Sequence, residues 1–271
     1  MKALSQPFDP SRGLAARWPP FPARAVAPFL LLSIGALAVA VGGVVPEIAL
    51  SLAGAGFHGS LLAVALASAW GGAAGWRPLA WVLQLLLCLA MLSARLLPWG
   101  ATAHVLPVLA LFAFGARHAQ LRRVGWCRPE ARIAWFLGAG AGLFLGGHLL
   151  LSASRTLGYP WRPTPVAPLL DALAYDLGAN VPSAELFFRG VIFNFWHRRR
   201  GFWLAATLST AASLVRYVLD PALPGAPEVV IGALFYMTLL NLSGCGLLAL
   251  SGSIFPSLLA SLLFFGAYRA L

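Results

Sequence analysis

Of 271 residues, 60% are hydrophobic and only 10% are charged, whereas a soluble domain of this length carries about 25% charged residues. Too little polar surface remains to coat a water-soluble globule, so the composition excludes an ordinary soluble enzyme and predicts an all-α, polytopic transmembrane bundle. The net charge of +11 comes almost wholly from Arg between hydrophobic runs, with no basic stripe of interleaved aromatics. Membrane lipids are therefore the expected partner, and nucleic acid is not.

Residues 1–23 hold Lys2, Arg12 and Arg17 among several prolines, the composition of a disordered cytoplasmic tail. The apolar run that follows is too long for a signal-peptide core and is expected to stay as the first membrane helix. Candidate spans fall at about 25–46, 59–76, 78–98, 103–117, 133–154, 183–196, 202–219, 229–250 and 253–268, eight or nine helices in all. They divide the chain into N-terminal membrane helices (24–154), a non-cytoplasmic loop (155–182) and a C-terminal membrane region (183–271). In the loop, Pro163 and Pro165 argue against a helix, while 168–178 suits a short amphipathic one. Such a loop serves as a lid or as a connector, and the sequence does not choose.

Charge sets the orientation. With a cytoplasmic N-terminus, Arg77, the cluster Arg117, Arg122, Arg123, Arg128 and Arg132, and the run His197-Arg198-Arg199-Arg200 all fall on the inside. Glu47, Asp171, Asp176, Asp220 and Glu228 fall outside, with Arg155 and Arg162 as the contrary loop charges. The sets Gly138/Gly142 and Gly146/Gly147 read as close helix packing. Ser251-Gly252-Ser253 reads as a turn and helix start rather than a nucleophile. Cys88, Cys127 and Cys245 fall at no metal-ligand spacing, and no disulfide framework is expected.

An ionisable group inside a membrane segment is costly and is a functional hypothesis by default. The segment Ser183-Ala184-Glu185-Leu186-Phe187-Phe188-Arg189-Gly190 carries two, with Glu185 and Arg189 at i and i+4 on one helix face. Residues Glu185, Leu186, Phe188, Arg189 and Gly190 resemble the first motif of the CAAX-protease and bacteriocin-processing family of intramembrane endopeptidases. The likeness continues through the basic turn Arg198-Arg199-Arg200-Gly201, the aromatic-led Phe202-Trp203-Leu204-Ala205, and Gly252-Ser253-Ile254-Phe255-Pro256 at the last helix. It covers about residues 180–268.

The resemblance implies a peptidase-type hydrolase in a bacterial inner membrane, acting on membrane-anchored or C-terminally tagged proteins. Secreted-protein sorting, as in the family's myxosortase branch, is one such role. The chain departs from the family where its chemistry resides. Ala184 stands at the water-activating Glu, Tyr217 and Ser261 at the two His positions, and Phe265 at the Asn. Only Glu185 and Arg189 carry over as site residues. Ala supplies no general base and Phe no oxyanion donor, so the resemblance implies a divergent, catalytically altered relative. No cofactor is expected, and zinc is not. His148 and His104, with Arg216 and Tyr217, are the nearest alternative site neighbours by depth, and His58 begins a span on the same side. Arg216 is expected to snorkel or to pair with a carboxylate. A non-enzymatic scaffold holding a single-helix partner is the rival reading, and a small transporter the weaker third.

Overall fold

A computed structural model describes residues 23–71, 73–129, 132–156, 165–218 and 227–270, and the described residues are mainly helical, with no strand among them. Residues 1–22 of the predicted N-terminal tail, and Arg162, Pro163, Thr164 and Asp220, lie outside them, and Ala23 already belongs to the first helix. The helices are α1 (Ala23–Val41), α2 (Pro46–Trp70), α3 (Arg77–Leu96), α4 (Val105–Arg117), α5 (Ile133–Thr156), α6 (Val166–Tyr175), α7 (Val181–Ala184), α8 (Asn194–Arg200), α9 (Phe202–Val218), α10 (Pro227–Ser251) and α11 (Phe255–Arg269). Among the described residues, five helical segments are long and apolar enough to cross a membrane, falling at Pro46–Trp70, Ala74–Leu96, Gly100–Arg117, Ile133–Arg155 and Val230–Ser251. With α9 at 17 residues and α11 at 15, the eight-or-nine count of full spans is not reached by length alone.

The chain forms two compact units. In the first, made of α1–α4, α6 and α7, helix α2 is the most buried long helix. The predicted boundaries here need correction. The first span ends at Val41 rather than 46, and the second begins at Pro46 rather than 59. Residues 54–60, Gly-Ala-Gly-Phe-His-Gly-Ser, are weakly hydrophobic because they face protein instead of lipid. A Cβ added to Gly56 would come within 2.7 Å of the Phe29 carbonyl oxygen, and Gln84 of α3 occupies the space above Gly59. Ser33 Oγ donates to Ala53 O at 2.7 Å across the same α1–α2 seam. Small residues let backbones approach where water is absent.

The second unit contains α5 and α8–α11. Gly138, Gly142 and Gly146 recur every four residues along α5 and meet α11, with a Cβ on Gly142 reaching Ala260 O at 2.5 Å. Gly147 has open space around it and takes no part, which corrects half of the predicted pairing. The opposite face of α5 carries exposed Phe136, Leu137, Leu143 and Phe144, as a lipid-facing side should. Ser251-Gly252-Ser253 is the expected turn: Gly252 has φ 68°, and Ser253 Oγ donates to Cys127 O at 2.5 Å.

Candidate functional site

Residues 166–180 are helical, which includes the short helix expected at 168–178, and the helical run continues beyond the predicted loop to Arg200. Pro165 stands just outside it as N-cap. Pro182 sits inside the run. It has no N–H to donate, and its ring crowds the carbonyl one turn earlier. The preceding turn is widened into a π-helical segment, Asp176–Asn180, where the Val181 N–H reaches back five residues to Asp176 O. A second π segment follows at Glu185–Phe193. Such widenings are frequent at functional sites.

Several buried polar groups of the first unit lie on this run or on the helices that pack against it. His58, His104, Asp176, Asn180, Ser183 and Glu185 are each buried. His58 of α2 joins two of the run's turns: its Nδ1 lies 2.8 Å from Ser183 Oγ and its Nε2 lies 2.8 Å from the Tyr175 hydroxyl. Ser183 Oγ also donates to Asn180 O at 3.1 Å. The proton assignment that satisfies all of these places hydrogen on His58 Nδ1, which donates to Ser183, while Nε2 accepts from Tyr175. Asp176, with no exposed surface, accepts Asn180 Nδ2 at 2.8 Å. Asp176 is therefore a buried group of the helical run rather than an exposed loop charge.

His104 ends a 3₁₀ turn ahead of α4, and its ring meets Tyr175 edge-to-face at 5.7 Å. Its Nδ1 lies 3.0 Å from Ala101 O, and a carbonyl only accepts, so Nδ1 carries the hydrogen. Its Nε2 is buried with no hydrogen-bond partner among the described residues. Gly178 of the first π segment faces the His104 carbonyl so closely that a Cβ there would overlap it.

The predicted site residues thus divide. Glu185 and His104 belong to the first unit, while Arg189, His148, Arg216 and Tyr217 belong to the second. Arg189 is buried and donates from its guanidinium to Asn241 Oδ1 of α10. Gly244 leaves room for it, since a Cβ there would come 3.1 Å from Arg189 Nε. Ser209 of α9 donates to Phe188 O at 2.7 Å. His148 has its own partner, Tyr236 OH at 2.6 Å, which also meets Ser152 Oγ at 2.6 Å. Arg216 and Tyr217 are half-buried on α9, Ser261 is buried on α11, and Phe265 packs against an apolar cluster that includes Phe264 and Leu240.

Sequence reasoning missed Tyr175, Asp176, Asn180, Ser183 and Asn241. The available signals were Asp176 and Asn180 at i and i+4, and a proline in the middle of an apolar run. Among the described residues, no three His, Cys, Asp or Glu side chains are grouped to hold a metal ion. No protein-family model, curated protein or solved structure matches this chain.

Proposed function

We propose that this chain is a divergent relative of the CAAX-processing intramembrane endopeptidases, acting on or binding membrane-anchored or C-terminally tagged proteins. In this reading it lies in a bacterial inner membrane with its N-terminus in the cytoplasm. One observation carries the proposal. Two buried carboxylates, Asp176 and Glu185, lie on the same helical run as the hydrogen-bonded chain Tyr175–His58–Ser183, beside a proline-induced π turn. Hydrocarbon penalises every one of these groups, and membrane proteins keep them mainly where substrates or protons are handled. With Ala184 at the family's water-activating position, the chemistry departs from the family's usual route.

The test is to compare the C-terminal peptides of membrane and secreted proteins from cells expressing the wild-type chain, Glu185→Gln, or no chain. The expected result is a set of shortened C-termini that vanishes with Glu185→Gln while the variant stays abundant. Absence of any processed or cross-linked partner, with both proteins folded, would sink this reading.

A second reading, a membrane scaffold that holds a partner helix, is favoured by Arg189–Asn241 and His148–Tyr236, where polar side chains act as interhelical glue. Under it, Glu185→Gln changes the amount of folded protein and no peptide profile.

A further inference from the structure

We infer that His104 is the general base of this site, holding through Nε2 the water of a hydrolytic step, a role Ala184 is unable to fill. The inference rests on the peptidase reading above and deepens it.

Its basis is the contrast between the two histidines. His58 is engaged at both ring nitrogens, by Ser183 and Tyr175, so it has no lone pair to offer. In His104 the Ala101 carbonyl fixes the hydrogen on Nδ1, which leaves the lone pair on Nε2. That nitrogen is buried without a partner on a residue only 2% exposed. A buried acceptor in a helical membrane bundle carries a desolvation penalty unless it binds a donor. The ring is also held in place before any ligand arrives. Ala101 anchors one edge, Tyr175 packs against it edge-to-face, and Gly178 permits the π segment to close on the His104 backbone. A fixed, neutral imidazole with one free lone pair is what general-base catalysis requires.

The step balances. As the water oxygen bonds to the scissile carbonyl carbon, its proton moves to His104 Nε2. As the C–N bond breaks, the same proton passes to the departing amide nitrogen, and neutral His104 is restored.

Two measurements on the full-length protein in membranes test the assignment. The first is acylation by diethylpyrocarbonate near neutral pH, mapped by mass spectrometry, with the half-buried loop residue His118 as the reactive control. His104 should be acylated and His58 spared. A reactive His118 beside an untouched His104 would mean that Nε2 is sealed from any ligand, and would overturn the assignment. The second is His104→Asn. Its side-chain N–H replaces Nδ1 as donor to Ala101 O while Nε2 is lost, so the fold is retained. The shortened C-termini should disappear with an unchanged unfolding midpoint. Processing by both wild type and His104→Asn would overturn the His104 role alone. Acylation of His104 with no processing by the wild type would overturn the hydrolytic role together with the peptidase reading. If His104→Asn fails to fold, His104→Gln provides the same comparison, and wild-type rates from His104→Gln would likewise overturn the assignment.

Discussion

His58 Nδ1 lies 2.8 Å from Ser183 Oγ although the two residues are 125 positions apart. The contact ties the middle of α2 to the turn after Pro182, and the Tyr175 hydroxyl completes it from the other side of the ring. His58→Ala therefore removes the donor to the buried Ser183 hydroxyl and the acceptor of the half-buried Tyr175 hydroxyl. It should lower stability by about 1–3 kcal/mol, the usual cost of leaving a buried polar group unmatched. A double-mutant cycle with Ser183→Ala, read by thermal unfolding in detergent, should give a coupling of about 0.6–1.7 kcal/mol, the range seen for interhelical hydrogen bonds in membranes. Additive effects would show that the contact contributes nothing.

Along α5, Gly142→Ala should destabilise by about 1–3 kcal/mol, because the new methyl meets the α11 backbone. Gly147→Ala, with open space around it, should be neutral or stabilise by up to about 1 kcal/mol through helix propensity. Equal midpoints for the two variants would contradict the α5–α11 seam.

Burial pushes the half-buried His197 imidazole below its ordinary value of 6.5, and the neighbouring Arg198 acts in the same direction, against a backbone hydrogen bond with Gly201 that opposes them. Arg199 and Arg200 follow directly in sequence, and the ring stacks on Phe193 at 5.0 Å. The folded state thus binds fewer protons than the unfolded state just below pH 6.5. The contribution is fully present above that value and is lost as pH falls through the lowered folded value. His197→Gln should flatten this part of the stability–pH curve, and an unchanged slope would refute the assignment.

The charge pattern predicts that the basic turn at residues 198–200 and the segment around residue 164 lie on opposite sides of the membrane. After replacement of Cys88, Cys127 and Cys245, single cysteines at Gly201 and at Thr164 should label with a membrane-impermeant reagent from opposite faces. Thr164 lies outside the described residues, so this test bears on the charge rule itself. Labelling of both from one side would overturn the topology.

Composition and the long unbroken apolar runs determined that this protein is helical and lipid-facing, because such runs satisfy their backbone in lipid as helices. Local pattern also located Glu185 and Arg189, since two ionisable groups stand out in an apolar run, and it identified the turn at Gly252. Tertiary structure decided the rest. The Gly-Ala-Ser stretch in α2 looks like a helix end by hydropathy, yet Gly56 and Gly59 pack directly against α1 and α3, because these neighbours replace lipid. Asp176 looks like a solvent-facing loop charge and is buried, because the widened turn before Pro182 belongs to a helix rather than a connection. The pairings His58–Ser183, Arg189–Asn241 and His148–Tyr236 join helices 52 to 125 residues apart. A hydrogen bond between distant helices leaves no period in either, so the partner of each polar residue, and the one ring nitrogen of His104 left without one, emerge only when the helices pack.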